Sequence, residues 1–312
     1  MEIALKSLLV TLVWILACPR LPSTLYRLLL LVALVCTIGY PLALRGAEGP
    51  RAVEISWETD YLHAMDIANQ QRKMLLIFFR DPHDPLSQRL ESETLASAEV
   101  QRRLSEFVCL RLPLDAKLRW EGKDAVLLEQ PMLSEMLGRP GVAIADFAHA
   151  DPKLHGCMVS VFPLTGSIFY GPAEMQVILD LPPGTLTQRT LIYAVRTHPE
   201  KPASAQGCAD DRLLAEAESH SQYQASIRLQ GHHGWNARFP RISTMLGCSP
   251  REVCAESWPG QNLVESAIEC VRCWRLSAGH WSAVQARNRA FGYDMKRGSN
   301  GVWYATGIFA EP

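Results

Sequence analysis

Beyond residue 50 the chain alternates short apolar runs with amphipathic stretches. Residues 57–71 place Trp57, Tyr61, Ala64, Met65 and Ala68 at helical spacing. "MLLIFF" (74–79) is a continuous apolar run of the kind a strand buried on both faces shows. Residues 86–105 alternate charged and apolar positions and predict one amphipathic helix, and "FVCLRLPL" (107–114) predicts a second strand. A weaker helical pattern covers 123–137, and "PGVAIADF" (140–147) and "CMVSVFPL" (157–164) predict two more strands. Further on, "TLTQRTLIYAVRTH" (185–198) follows a Pro-Pro-Gly turn and predicts a capped helix. Residues 210–230 form an amphipathic helical pattern with two aspartates at its start, where the helix dipole favours them. A third pattern, 263–277, puts Val264, Ala267, Ile268, Val271 and Trp274 on one side. Two aromatic-rich runs flanking "KRGSNG" (296–301) predict a terminal hairpin. Strands alternating with helices define an α/β layered fold in the first part, and the later helices with their hairpin an α+β part.

The first 50 residues obey a different pattern. "SLLVTLVWILAC" (7–18) is apolar but short for a bilayer, whereas "LYRLLLLVALVCTIGYPLAL" (25–44) is apolar apart from Arg27. Arg20 and Arg27 precede or open this run, small Gly46 and Ala47 follow it, and it has no polar face. That order predicts a signal peptide or membrane anchor over 1–50, and hence an extracytoplasmic body with the membrane as partner of this segment. The remainder divides by pattern into 51–180 and 181–312. Composition adds one exclusion. Lys plus Arg is 31 against 32 Asp plus Glu, so no basic field exists for a phosphate backbone and nucleic acid is not an expected partner.

Of nine cysteines, Cys18 and Cys36 fall in the export segment, and Cys109 and Cys157 stand alone as small hydrophobes. Cys208, Cys248, Cys254, Cys270 and Cys273 crowd the last third, and an exported chain with clustered cysteines predicts disulfides. "CVRC" (270–273) sets both sulfurs on one side of a helix. Three readings compete: a disulfide staple to Cys248 or Cys254, a Cys₄ metal knot with the same pair, and a redox pair. Export favours the staple. The redox reading lacks the helix N-terminal setting that lowers a thiol pKa.

The order of elements over about 53–170 resembles the thioredoxin-like fold. That resemblance implies a redox Cys-x-x-Cys just after "MLLIFF", but the matching loop "RDPHDPLSQ" (80–88) holds no cysteine, so a redox-inactive domain is expected. Pro140 stands where the resemblance implies a cis-proline. His83 and Asp84 occupy the loop as either a ligand pair or a solvated turn between Pro82 and Pro85.

Residues 183–312 resemble the CAP superfamily (cysteine-rich secretory, antigen 5, pathogenesis-related; SCP-like). The ordered features are a first helix ending in Arg196, "AESHSQYQA" on the second, a loop histidine before Arg238, "AES" at 255–257, Trp274, "SAGHW" with His280, and a terminal hairpin ending in "WYATGIF". The resemblance implies an α-β-α sandwich and a central cleft lined by His232 or His233, Glu256 and His280. Ser277 stands where many members carry a second glutamate, so the two-His, two-Glu set is incomplete. Two imidazoles and a carboxylate from separate segments could hold a divalent cation such as zinc, with His232, His233 and His280 as metal candidates. An open position on such a metal could activate water, Glu256 serving as base. Trp235 and Trp281, each beside a candidate histidine, are expected to rim the cleft. The leading expectation is a non-catalytic cleft for a ligand or cation in an envelope or secreted protein. Its rivals are a metal-assisted hydrolase or peptidase using the same residues, and a thiol oxidoreductase using Cys270 and Cys273.

Overall fold

The computed structural model describes residues 55–120 and 123–311; the export segment expected over 1–50 lies outside them. Contacts divide the chain between Met1–Arg51 and Ala52–Pro312, and the described residues all fall in the second part. Among them no helix is long and apolar enough to cross a membrane. The class is mixed α/β, as the alternating patterns predict.

A five-stranded sheet opens the described chain. Its strands are β1 (Trp57–Glu58), β2 (Leu75–Arg80), β3 (Val108–Pro113), β6 (Gly141–Ala145) and β7 (Met158–Pro163), in the order β1-β3-β2-β6-β7. β1 and β2 both run parallel to β3, whereas β6 runs antiparallel to β2 and to β7. Leu75 to Phe79 are fully buried, which is why β2 reads as an unbroken apolar run. Helix α1 (Tyr61–Gln71) begins later than its apolar spacing suggests, because Asp60 accepts from His63 N–H and caps it there.

Two expected helices resolve differently. The stretch 86–105 is broken into α2 (Pro85–Arg89), a π turn (Leu90–Thr94) and α3 (Ala98–Leu104). The buried Thr94 side chain donates to Tyr170 O at 2.9 Å within this interruption. The pattern at 123–137 is not an α-helix: β5 (Lys123–Val126) pairs with β4 (Lys117–Trp120), and two 3₁₀ turns follow (Leu127–Glu129 and Pro131–Met136). Pro131 has no N–H to continue a helix across Gln130, which is itself extended. Among the described residues every peptide bond is trans, that of Pro140 included, against the cis bond expected there. In the 80–88 loop Asp84 accepts from the N–H groups of Leu86 and Ser87 and starts α2, while His83 is exposed. The pair therefore makes a helix-capping turn.

The second sheet contains β8 (Cys208–Ala209), β10 (Ala290–Arg297), β11 (Trp303–Ala310) and β9 (Pro250–Glu256), in that order. β8 is parallel to β10; the other pairings are antiparallel. After α4 (Pro172–Leu179), helices α5 (Leu186–Thr197) and α8 (Leu263–Arg275) cover one face, and α6 (Asp211–Ile227) covers the other. Strand alternation sorts the side chains. Val253, Ala255, Phe291, Tyr293 and Phe309 join the core beneath Trp274, while Asp294 and Thr306 point toward α6. α6 lies very close to β10: a Cβ on Gly292 would collide with the Leu213 and Leu214 backbone, so only glycine fits.

No break in packing accompanies the expected boundary near residue 181. One continuous apolar core runs from Phe78 and Phe162 through Tyr193 to Trp274 and Phe309. The wholly buried Arg189 of α5 donates to Ser160 of the first sheet at 2.8 Å and to the Leu181 and Pro182 carbonyls.

Candidate functional site

The site forms where the loop that follows α6 crosses β9. α6 is N-capped by Asp210, and it ends where Arg228 takes up a left-handed conformation, φ 56°. Two turns and one turn before that end, His220 and Gln224 share the face toward the sheet. Gln224 donates to Thr306 Oγ1 at 2.9 Å and accepts from Gly231 N–H at 3.0 Å, so its amide pins the returning loop to β11. His220 Nε2 donates to the Gly231 carbonyl at 2.9 Å and pins the same residue from its other side. Gly234, at φ 65°, then starts α7 (Trp235–Leu246), and the short loop between projects His232 over β9.

There His232 meets two partners. Its Nδ1 lies 3.0 Å from Glu252 Oε1, and its Nε2 lies 3.2 Å from Nε2 of His280, on the first turn of α9 (Ala278–Gln285). Glu252 is almost wholly buried (side chain 1% exposed), His232 is 42% exposed, and Arg238 of α7 donates through Nη2 to the second carboxylate oxygen. Burial alone would push the Glu252 carboxyl up. The hydrogen bonds from His232 and Arg238, with the Arg238 charge, outweigh it and hold the group below the usual carboxylate range. An ionised Glu252 accepts, so His232 carries its proton on Nδ1 and offers its Nε2 lone pair to His280. Burial lowers the His280 pKa, and the neighbouring His232 lowers it further. Burial also lowers that of His220, against the pull of Glu252. Both rings therefore favour the neutral form.

The sequence candidates separate accordingly. His232 and His280, 48 residues apart, do meet. His233 does not join them: its Nε2 faces the Leu229 carbonyl at 3.3 Å, and its ring packs against Tyr223 in a neighbouring hollow with Arg238 and Arg241. The expected carboxylate, Glu256, is also displaced. It sits exposed at the end of β9, four residues and about 13 Å of strand beyond Glu252, which takes the role. Trp281 is buried away from the cleft; its indole N–H donates to Glu200 at 2.9 Å and its ring packs on His198. Trp235 is half-buried against Phe239 and under the Arg238 guanidinium, beside the site.

The expected disulfides are not formed: Cys248, Cys254, Cys270 and Cys273 are all free thiols. Their surroundings differ. Cys248 lies near the Arg289 guanidinium, Cys270 of α8 is buried in the core, and Cys273 faces the Glu256 carbonyl and Glu269. Cys254 belongs to the site instead, its Sγ 3.8 Å from His232 Nδ1. Burial and the neighbouring Glu252 push its thiol pKa well up, and burial raises those of Cys270 and Cys273 as well.

Sequence reasoning passed over His220, Arg238, Glu252 and Cys254 as one constellation. The available signal was period two: "EVCAE" places Glu252 and Cys254 on one strand face, with only one residue between them. Compared with known families and with curated proteins, the chain matches no family model and no curated sequence.

Proposed function

We propose that the chain is an exported envelope or secreted protein whose later half is CAP-like and presents a non-catalytic ligand-binding cleft, with His232 and His280 as its recognition groups. The carrying observation is the 3.2 Å approach of two half-open imidazoles from separate elements, one of them oriented by a buried carboxylate. The α-β-α layering around β8–β11 supports the CAP-like reading. The strand order β1-β3-β2-β6-β7 supports a thioredoxin-like reading of the first sheet, and the cysteine-free 80–88 loop supports its being redox-inactive.

A non-catalytic role is favoured over hydrolysis by the state of Glu252. Its two oxygens are occupied by His232 and Arg238, and its low pKa makes it a poor base. High thiol pKa values argue equally against the oxidoreductase. The imidazole pair suits a polar group on a peptide or oligosaccharide. Arrayed peptides and oligosaccharides, probed with wild type and with His280→Ala, test this: a binder lost in the variant is expected. Absence of any binder sinks the ligand reading, and turnover of fluorogenic peptides or esters that collapses with His280→Ala replaces it with the hydrolase.

A further inference from the structure

Behind the exposed imidazole pair lies a second donor set. Glu252 Oε1 is 3.0 Å from His232 Nδ1 and 3.8 Å from His220 Nε2. Cys254 Sγ is 3.8 Å from His232 Nδ1, and the ligand atoms of His220, Glu252 and Cys254 all lie within 4.8 Å of one another. Zinc bonds of about 2.0–2.1 Å to nitrogen or oxygen and about 2.3 Å to sulfur give tetrahedral edges of roughly 3.3 and 3.6 Å between donors. The two Glu252–imidazole separations fall on either side of the nitrogen–oxygen edge, and the Cys254–His232 separation is slightly longer than the sulfur edge. Three of the four residues are buried: His220 on α6, and Glu252 and Cys254 on one face of β9.

We propose that His220, His232, Glu252 and Cys254 form a buried four-coordinate site for zinc. Each ligand is a type zinc accepts. Arg238, on the other Glu252 oxygen, then orients a ligand from outside the coordination sphere. On loading, the Cys254 thiol gives its proton to solvent as the Zn–S bond forms. His232 moves its proton from Nδ1 to Nε2, where it donates to His280, whose own proton shifts from Nε2 to Nδ1, and His220 moves its own from Nε2 to Nδ1, releasing Gly231 O. One proton leaves per zinc. Four protein ligands leave no open position, so the metal is structural, tying the 228–234 loop and α6 to the edge strand β9. Its entry is past the half-exposed His232 ring. Of the two imidazoles at the cleft mouth, His232 belongs to this set and His280 does not, so the two sites meet at His232.

The test is titration of the full chain, stripped with chelator, with Zn²⁺ and with Co²⁺ as spectroscopic stand-in. One ion per chain is expected, with thiolate-to-cobalt charge-transfer absorption, release of one proton, and a zinc-dependent rise in Tm. Cys254→Ser should abolish the charge-transfer band and weaken zinc by at least about 100-fold. His220→Gln should weaken it without abolishing the band, His280→Ala should keep the band, and Cys273→Ser should change neither band nor affinity. Circular dichroism confirms that each variant is folded; should Cys254→Ser not fold, the wild-type cobalt spectrum with His220→Gln decides. The proposal is overturned by failure of the wild type to take up the ion, by uptake without the thiolate band, or by uptake that needs His280 but not Cys254. That last result would put the cation between the two Nε2 atoms.

Discussion

Replacing Glu252 by glutamine keeps the shape of the side chain and removes its charge. The carboxylate serves two donors at once, His232 Nδ1–H through Oε1 and Arg238 Nη2 through Oε2. A primary amide has one accepting oxygen and one donating nitrogen, so in either orientation an N–H of glutamine faces an N–H of histidine or arginine. Arg238 keeps its charge in a pocket where its side chain is only 16% exposed, and the carboxylate that neutralised it is gone. Breaking a buried pair by removing one member costs about 3–5 kcal/mol; partial access of water to His232 and Arg238 places this case near the lower end, at about 3 kcal/mol. For a chain of this size that corresponds to a fall in Tm of roughly 6–12 °C. The measurement is thermal unfolding by circular dichroism at neutral pH in metal-free buffer, with Glu256→Gln as comparator. Glu256 is exposed at the strand end and should cost less than about 0.5 kcal/mol. The pH dependence follows from the depressed Glu252 pKa. Its contribution is fully present above the unfolded carboxylate value of about 4.3 and is lost as pH falls through the lower folded value, so the gap between wild type and Glu252→Gln narrows in acid. Equal losses from the two substitutions, or a gap that widens in acid, would refute this account of the site's electrostatics.

Two further outcomes follow from the packing and the thiols. Gly292→Ala should destabilise the protein by about 3 kcal/mol or more in denaturant titration, because its methyl group meets the α6 backbone at Leu213 and Leu214, and neither element can yield without opening the core; a change under about 1 kcal/mol would mean α6 has room to move. All seven described cysteines should alkylate under denaturing conditions without reductant, with exposed Cys157 and Cys208 labelling first in the native state and buried Cys254 and Cys270 last; mass spectrometry showing Cys270 or Cys273 protected until reduction would restore the disulfide staple.

The elements with strong local signals were legible. β2, β3, β6 and β7 are apolar runs because each is buried between layers, and α8 shows its stripe of Val264, Ala267, Val271 and Trp274 because one face alone meets the core, although Ile268, expected in that stripe, is exposed. The 86–105 and 123–137 segments were not. Their composition suits a helix, but a tertiary contact at Thr94 and the backbone limits imposed by Pro131 decide the outcome. The site divides in the same way. The CAP-like order of motifs pointed to His280 and to one of His232 and His233, and left the choice between those two open. Glu252 did not stand out, since one glutamate in "REVCAES" differs from the next only by its register in β9.

By itself the sequence determined which stretches are apolar, which residues cap and turn, and which chemical groups the last third has available; these are local properties, written in spacing of two and 3.6. Only the tertiary structure decided that Glu252 opposite Ile308 faces α6 while Glu256 reaches solvent, that His233 turns aside, and that Cys254 sits among imidazoles rather than in a disulfide. The physical reason is that a carboxylate's environment is set by strand register and by which helix covers it. Both are fixed by packing among residues tens of positions apart, and no short window of sequence contains them.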